Sequence, residues 1–218
     1  MKVKIVSLCA LLVLGWSAGA LAQIQEAPKK FYAGVGIGKA KAKLDDNDSA
    51  GFGITSPSGK DETNTAYKFF AGYQFVKYLG LELTYADFGK FAYKFTDPSG
   101  AQGRTDYNAT STALSAVGTI PLRGDFSLLA RLGLTYNMVK RSAFQGAFTV
   151  TPPLPEATAN RTSLVWGAGA QYDFSPALAM RLEYEDYGKF GKAVTNFGSE
   201  ETGRATLHMY SLNFIARF

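Results

Sequence analysis

Few residues in this sequence have the types and spacing that acid–base or nucleophilic chemistry needs. The 218 residues include one histidine, His208, and one cysteine, Cys9. Side chains of an extended strand alternate between its two faces, so His208 and Ser211 point in opposite directions. Ser163 could approach His208 only from another strand. Because a nucleophile and its base must share one site, the sequence predicts no enzyme, and it offers no cofactor or metal site.

A second set of candidate functional residues consists of charged side chains that alternate with apolar residues along the chain. Glu82 and Arg181 occupy equivalent places in two similar segments. An isolated buried ion is very costly, so charges inside a narrow fold must pair. They form either a structural network of salt bridges or a gate, in which Arg131 or Arg181 exchanges carboxylate partners and opens a narrow ion path. The predicted lumen charge network comprises Lys68, Glu82, Arg131, Arg181 and Glu183, and the same alternation directs Asp173, Glu185 and Arg217 inward.

Long segments with the two-residue period of a β-strand must position these charges. Between Phe126 and Met138 the even positions are apolar, whereas most odd positions, such as Arg131, are small or polar. Soluble strands usually have about 5 to 6 residues, whereas a tilted transmembrane strand needs about 9 to 11. The predicted segments suit the second class. They are Phe31–Lys39, Thr65–Phe75, Gly80–Phe91, Ser111–Ile120, Phe126–Lys140, Arg161–Phe174, Leu178–Phe190 and Ala205–Phe218.

The connections between these eight segments alternate between short and long. Short turns at one end and long loops at the other are typical of outer-membrane barrels. A lipid-exposed sheet must also pair its first strand with its last. The sequence therefore predicts an all-β fold: an eight-stranded antiparallel transmembrane β-barrel with short periplasmic turns and long extracellular loops. A hairpin inside 40–64 would instead give ten strands. The short connections are 76–79, 121–125 and 175–177, and the long ones are 40–64, 92–110, 141–160 and 191–204.

Two segments repeat nearly the same sequence: LTYADFGKF at 83–91 and LEYEDYGKF at 182–190. Duplication of a four-strand half and similar demands on equivalent strands both explain the repeat. In each copy an aspartate breaks the apolar alternation, so there the strand either leaves the hydrocarbon or carries a bulge. In both cases the next residue, Phe88 or Tyr187, is expected near the outer interface. The residues expected to face lipid are Leu83, Tyr85, Leu182 and Tyr184, and the aromatic residues preceding the copies at matching distances are Tyr73, Phe75, Tyr172 and Phe174.

The N-terminus has the composition of a secretory signal peptide. Lysines precede an apolar run that is too short to span a membrane, and Ala20 and Ala22 stand before the expected cut. Removal of residues 1–22 leaves 23–218 as the barrel domain. Cys9 lies in the removed part, so the exported chain is expected to lack disulfides.

Four motifs carry a resemblance to a known family. They are FYAGVGIGKA from Phe31, GLELTYADFGKF from Gly80, RLEYEDYGKF from Arg181 and YSLNFIARF ending at Phe218. Together they make residues 31–218 resemble the outer membrane protein A-type family of eight-stranded barrels. Larger members carry a soluble peptidoglycan-binding domain after the barrel. This chain is expected to be a barrel-only member, so the resemblance does not imply cell-wall anchoring.

The resemblance also implies a location and a route of assembly. The location is the cell outer membrane. Barrel-assembly machinery would read a terminal segment of alternating apolar residues that ends in an aromatic residue. The residues of this assembly signal are Tyr210, Leu212, Phe214 and Phe218.

Basic residues gather where the predicted strands meet the long loops, whereas most loop carboxylates lie further out. We expect a basic collar that meets lipopolysaccharide phosphates through charge-assisted hydrogen bonds, beside the ordinary contact with membrane lipid. A solvated rim of mixed charge is the alternative. The predicted collar comprises Lys39, Lys41, Lys90, Lys94, Lys140, Arg141, Lys189 and Lys192.

The expected function is that of an integral outer-membrane protein with a structural, membrane-integrity role, surface-displayed loops and weak pore activity. Long loops such as 40–64 also fit an adhesin or host-interaction protein, and the charged lumen also fits a narrow channel for ions or small solutes. Loss of the signal peptide lowers the formal net charge from +5 to +3. Since no Lys/Arg run accompanies this charge, nucleic acid is not an expected partner. We expect a monomer.

Overall fold

The strands of this chain account for nearly all of its described structure. The computed structural model describes residues 30–44, 56–96, 102–142, 145–146, 156–193 and 202–218. The predicted signal peptide, residues 1–22, lies outside these ranges, as do parts of the four long connections. Among the described residues, no helix is long and apolar enough to cross a membrane. The strands are β1 Lys30–Leu44, β2 Ser56–Asp61, β3 Thr63–Val76, β4 Leu79–Thr96, β5 Gln102–Pro121, β6 Phe126–Arg141, β7 Gln145–Gly146, β8 Ala157–Asp173, β9 Leu178–Phe190 and β10 Ala205–Arg217.

Eight of the ten strands close into an antiparallel barrel. The order is β4-β3-β1-β10-β9-β8-β6-β5, and β5 pairs back with β4. The first and last barrel strands pair along their length, with Tyr32 opposite Arg217. Phe31 and Phe218 complete this seam with reciprocal backbone hydrogen bonds of 3.1 and 2.9 Å. The predicted eight-stranded antiparallel barrel is therefore confirmed.

The two remaining strands lengthen the barrel wall and add nothing to its circumference. β2 continues the line of β3, since both pair with β4: Asp61 lies opposite Ala92, and Tyr67 lies opposite Asp87. β7 likewise continues β6, since both pair with β5. Within the described ranges this lengthening is confined to the half of the circumference from β3 to β6. We call it the sheet extension, formed by residues 56–61, 92–96, 102–106 and 145–146.

The sheet extension corrects the predicted loop boundaries. Most of 92–110 is strand, because β4 runs to Thr96 and β5 begins at Gln102. Of the segment 40–64, the described residues form the end of β1, to Leu44, all of β2 and the start of β3 at Thr63, and none of them adds a barrel strand. The loops were predicted too long because backbone pairing above the membrane does not require the apolar alternation that lipid imposes.

Side chains of the barrel strands alternate between lipid and interior. On β6, Leu132 and Leu134 are 62% and 59% exposed, whereas Arg131, directly before Leu132, is 3% exposed. The outward face of β6 from Phe126 to Tyr136 is about 33 Å long at about 3.3 Å per residue. Tilted as barrel strands are, it matches an apolar band of about 25 Å.

Aromatic side chains mark both ends of this lipid-facing surface, as interfacial girdles do. Two aromatic trios at the periplasmic end, with neighbouring ring centroids 4.7 to 5.1 Å apart, are Phe31–Tyr73–Phe75 and Phe126–Tyr172–Phe174. At the extracellular end, six barrel strands carry an outward-facing aromatic residue. These residues, which we call the outer girdle, are Tyr67, Tyr85, Tyr136, Trp166, Tyr184 and Tyr210.

Short turns join the strands at the periplasmic end, at 77–78, 122–125 and 174–177. In the second turn, Gly124 has a φ of 72°, a conformation that glycine adopts at little cost. In the third, the Ser175 hydroxyl accepts a hydrogen bond of 3.1 Å from the Leu178 amide. The predicted short connections are confirmed.

Candidate functional site

Buried charges fill the middle of the barrel interior, with Arg131 on β6 at their centre. Its Nη1 lies 2.8 Å from a Glu185 oxygen. Its Nη2 lies 2.8 Å from a Glu183 oxygen and also contacts Glu82. One guanidinium thus bridges carboxylates from β4 and β9, which tie opposite walls of the barrel together.

Two further cations complete this lumen charge network. Lys68 on β3 lies 2.7 Å from Glu183 and also contacts Glu185. Arg181 on β9 lies 3.0 Å from Glu82. The network therefore joins three cations to three carboxylates, so its formal charge is zero. A neutral, mutually paired set is the arrangement that makes buried ions tolerable.

Neutral side chains saturate the carboxylates further. Glu82 accepts hydrogen bonds from the Tyr32 hydroxyl at 3.1 Å and the Thr84 hydroxyl at 3.2 Å. Asn213 donates from Nδ2 to Glu183 at 2.8 Å. Gly36 makes room for that amide, because a Cβ at this position would overlap the Asn213 side chain. The network is thus held by geometry as well as by charge.

An apolar layer lies on the extracellular side of the network, beside the buried, hydrogen-bonded Ser111, Thr135 and Asn137. Phe88 packs edge to face against Tyr187 and Phe190, with ring centroids 4.9 and 5.7 Å away. The Tyr187 hydroxyl donates to Glu185 at 3.2 Å, which joins this layer to the network. We call it the apolar cap. All eight barrel strands contribute to it: its residues are Ala40, Ala42, Ala66, Ala86, Phe88, Phe91, Ala109, Ala113, Val139, Val165, Tyr187, Phe190, Leu207 and Met209.

A β-bulge ends the barrel part of each repeat copy. Gly89 and Gly188 have φ of 71° and 70°, and strand pairing changes register beside each. The Gly89 amide donates to Asp87 at 2.8 Å, and the Gly188 amide donates to Asp186 at 2.7 Å. Each aspartate therefore stabilises the turn of the backbone that its own glycine permits.

The bulges confirm one of the two explanations predicted at the aspartates, but Phe88 and Tyr187 do not lie where they were expected. Both were expected near the outer interface, but both are fully buried inside the barrel. The prediction was wrong because the alternation continues unbroken through the aspartates, which face outward, and each following aromatic residue faces inward. Leu83, Tyr85 and Leu182 are exposed on the lipid side, and the less exposed Tyr184 shares their outward face, which confirms that part of the interpretation.

Equivalent residues of the two repeat copies meet across the interior. Glu82 and Arg181 are 99 residues apart and form an ion pair. Phe88 and Tyr187 have the same offset and also touch. Contacts between equivalent positions are those that a two-fold axis through the lumen would produce.

A cavity of about 290 Å³ opens beneath the network at the periplasmic end. Arg217 in its wall lies 2.7 Å from Asp173. Gln171 in the same wall accepts a hydrogen bond of 3.1 Å from Arg181. The cavity ends at Arg181 and Tyr32, which belong to the network above it.

The structure brings together all five residues predicted as the lumen charge network: Lys68, Glu82, Arg131, Arg181 and Glu183. Glu185 was directed inward by its parity but left out of that set, although it contacts both Lys68 and Arg131. The apolar cap was missed entirely. The sequence contained the information needed to predict it, since Ala86 and Phe88 occupy even positions of β4, like Glu82, and so point inward.

The basic collar is only partly reproduced. Arg141 is 3% exposed and therefore cannot meet lipid from outside, so its inclusion was wrong. It shares the inward parity of Val139, two positions before it on β6. Lys94 lies on β4 opposite Arg104, within the sheet extension. The exposed members are Lys39, Lys41, Lys90, Lys140, Lys189 and Lys192.

The strand β10 separates the residues that could have formed a catalytic pair. His208 lies outside the barrel, where its Nδ1 is hydrogen-bonded to the Tyr184 hydroxyl at 3.0 Å, and Ser211 is buried inside. Among the residues that the structure describes, no three His, Cys, Asp or Glu side chains are grouped to hold a metal ion. The residues predicted as the assembly signal lie along the outward face of β10 and at its end: Tyr210, Leu212, Phe214 and Phe218.

Comparison with known proteins places this barrel among proteins of the outer membrane. The family model described as OmpA-like transmembrane domain matches residues 26–218. Outer membrane protein A of Escherichia fergusonii is 29% identical over 180 residues, which cover 82% of this chain and 47% of that protein. Outer membrane protein P5 of Haemophilus influenzae is 28% identical over 190 residues, which cover 84% and 52%. The chain spans about half the length of these curated relatives.

Solved structures share the fold. The crystal structure of Ail, the attachment invasion locus protein of Yersinia pestis, superposes with a TM-score of 0.51 at 17% identity, covering 88% of this chain and 100% of that one. Neisserial surface protein A superposes with a TM-score of 0.50 at 18% identity, covering 86% and 97%. The chain therefore belongs to the OmpA-like transmembrane domain family and is an integral β-barrel of the cell outer membrane.

Proposed function

We propose that this barrel is a closed structural element of the outer membrane and that its lumen serves as a core, with no conducting path. The observation that carries the proposal is the apolar cap, to which all eight barrel strands contribute. The cap lies in series with the lumen charge network. A solute entering from the periplasmic cavity would therefore meet two barriers, first the lumen charge network and then the apolar cap.

The cap disfavours the gate as an alternative function. Exchange of carboxylate partners by Arg131 would rearrange the network but leave Phe88, Tyr187 and Phe190 packed above it. Ions cross apolar constrictions only when these become wet, and this layer is filled by side chains. The proposed role also involves no catalysis, since His208 and Ser211 lie on opposite faces of β10.

Single-channel recording of the refolded barrel in planar bilayers tests the proposal. We expect the unchanged protein, Glu82→Ala and Arg131→Ala all to be silent, because the cap remains in each. Combining Arg131→Ala with Phe88→Ala and Tyr187→Ala should produce conductance steps, since both barriers are then removed. Heat-dependent gel mobility confirms that each variant is folded. Steps in the unchanged protein that alter in Glu82→Ala or Arg131→Ala would establish a gated pore instead.

Display of a binding surface is a second candidate function, which the sheet extension supports. β4 and β5 have 18 and 20 residues and run well past the bulge at Gly89, so the strands form a platform above the membrane. Binding residues commonly sit on segments that a rigid scaffold carries. Replacing residues 93–104 with a two-residue turn should keep the heat-dependent mobility of the barrel but reduce adhesion of displaying cells to host-cell monolayers. Equal adhesion by a Lys77→Ser control and the shortened variant would exclude this candidate.

We further propose that five of the six exposed members of the basic collar contact lipopolysaccharide. Lys39, Lys41, Lys90, Lys140 and Lys189 stand near the outer girdle, at the height where lipid phosphates lie. Ammonium groups form charge-assisted hydrogen bonds with phosphate. Replacing these five lysines with glutamine should weaken binding of lipid A by the refolded barrel, and unchanged affinity would exclude the collar.

A further inference from the structure

The outer girdle is interrupted at β5. Thr112 lies between Tyr85 on β4 and Tyr136 on β6 in one row across the three strands. Both tyrosines are half exposed on the lipid side. A surface cavity of about 460 Å³ occupies the interruption. We call it the girdle notch; the lining residues used below are Tyr85, Asp87, Asn108, Thr112, Tyr136 and Lys140.

Two lysines frame the extracellular rim of the girdle notch. Lys90, Asn108 and Lys140 are cross-strand neighbours on β4, β5 and β6. Adjacent strands are about 4.8 Å apart, so the two lysines start about 10 Å apart with the amide between them. Both side chains are exposed and long enough to reach one anion placed above Asn108. The row therefore has the spacing of a two-ammonium clamp.

Asn108 supplies a second, independent sign of a ligand. Its Oδ1 is buried and has no hydrogen-bond partner among the residues that the structure describes. A buried acceptor without a donor is unfavourable. Because Asn108 lines the notch, a turn of its side chain would present this acceptor to an O–H or N–H group of a ligand there.

Asp87 determines which part of a ligand can lie deeper. One of its carboxylate oxygens accepts from the Gly89 amide at 2.8 Å, and its charge opposes a phosphate in the notch. Hydroxyl or amide donors suit this level, whereas a phosphate suits the lysine row above. Thr112 and the two tyrosine rings below offer a shallow surface for sugar and the first methylenes of an acyl chain.

We propose that the girdle notch binds the phosphorylated, N-acylated disaccharide head group of one lipopolysaccharide molecule. A phosphate lies between Lys90 and Lys140, a donor of the head group meets Asn108 Oδ1, and an acyl chain starts over Thr112. The proposal rests on the collar contact proposed above and narrows it to one site. Phosphatidylglycerol would supply a phosphate and hydroxyl donors, but no sugar to cover Thr112 and the two tyrosine rings.

Lipid A binding by the refolded barrel in detergent tests the site, with the dissociation constant measured by titration. Lys90→Gln with Lys140→Gln removes the clamp, and loss of two charge-assisted contacts should raise the dissociation constant about tenfold or more. The comparison pair, Lys41→Gln with Lys189→Gln, removes equal charge from other collar members, on β1 and β9, and should raise the dissociation constant less. The control pair, Lys77→Gln with Arg123→Gln, removes equal charge from the exposed periplasmic turns and should leave it unchanged. Thr112→Trp fills the notch from the lipid side and should also weaken binding without disturbing the interior. Dephosphorylated lipid A should bind the unchanged barrel as weakly as lipid A binds the clamp variant.

The outcomes separate the site from the collar. Equal weakening in the clamp pair and in the comparison pair on β1 and β9, with no effect of Thr112→Trp, would overturn the notch and leave a distributed collar. No binding of lipid A to the unchanged barrel would overturn both. Competition by inorganic phosphate or phosphatidylglycerol as strong as that of lipid A would overturn the assignment to lipopolysaccharide.

Discussion

Phe88 and Tyr187 pack edge to face inside the barrel, with ring centroids 4.9 Å apart, and each is followed by a glycine of positive φ. The two relationships are connected. The bulge at the glycine turns the strand immediately after the aromatic side chain has entered the lumen. The apolar cap therefore depends on backbone geometry at two points, Gly89 and Gly188.

Alanine at the two bulge glycines should destabilise the barrel to different degrees. A left-handed conformation costs a non-glycine residue about 1–2 kcal/mol. At Gly188 a Cβ would also lie 2.9 Å from the Leu164 carbonyl oxygen, whereas at Gly89 the nearest group is the flexible Asn64 amide. We expect the free energy of unfolding to fall most in Gly188→Ala and less in Gly89→Ala, as measured by urea titration with gel mobility.

Gly124→Ala is the control for the bulge prediction. Its φ is 72°, but no atom lies within 4 Å of the added Cβ, so it reports the backbone cost alone. Equal losses in Gly188→Ala and Gly124→Ala would contradict a steric role for the bulge.

Neutralising one carboxylate of the lumen charge network should cost more than neutralising an ion pair. Glu82→Gln leaves three cations with two carboxylates, and breaking a buried pair costs about 3–5 kcal/mol. Glu82→Gln with Arg181→Gln restores two cations with two carboxylates, so it should be more stable than Glu82→Gln alone. The free energy of unfolding of both variants in lipid vesicles gives the comparison.

The exposed Glu156 provides the control for this charge balance. Glu156→Gln should change the free energy of unfolding by less than about 0.5 kcal/mol, as surface substitutions usually do. If the double variant were less stable than Glu82→Gln, the stability of the barrel would not depend on a net charge of zero in the lumen charge network.

Cysteine labelling should report which end of the barrel faces outward. Outside the predicted signal peptide the sequence has no cysteine, since Cys9 is the sole one. A membrane-impermeant maleimide added to intact cells should label Arg104→Cys in the sheet extension. It should label Lys77→Cys in the periplasmic turn only after permeabilisation. The reverse pattern would invert the orientation of the barrel.

The sequence predicts those parts of the fold that lipid constrains. Alternation between Phe126 and Met138 marks β6 because one face must be apolar and the other must not. Above the membrane this constraint ends, so the strand character of 92–96 and 102–106 carries no such pattern and was assigned to loop. Pairing register alone creates the sheet extension there.

The interior was predictable in composition but not in arrangement. Parity directs Lys68, Glu82 and Arg131 inward, but which charges touch depends on the stagger between strands, and a period of two contains no information on stagger. The apolar cap was not predicted, for a different reason. A bulge at Asp87 was one of two predicted explanations, but the bulge follows Phe88, so the alternation continues to Phe88 and directs it inward.

The offset of 99 residues between Glu82 and Arg181 limits the ways in which such an interior can be assembled. If two identical four-stranded chains associated to form this barrel, each residue near the symmetry axis would meet its own copy. An aromatic ring can pack against an identical ring, as the similarity of Phe88 and Tyr187 illustrates. A carboxylate meeting its own copy would face a like charge in a buried site. A neutral interior built on this contact thus requires two halves that differ in sequence, a freedom that a single continuous chain has and a homodimer lacks.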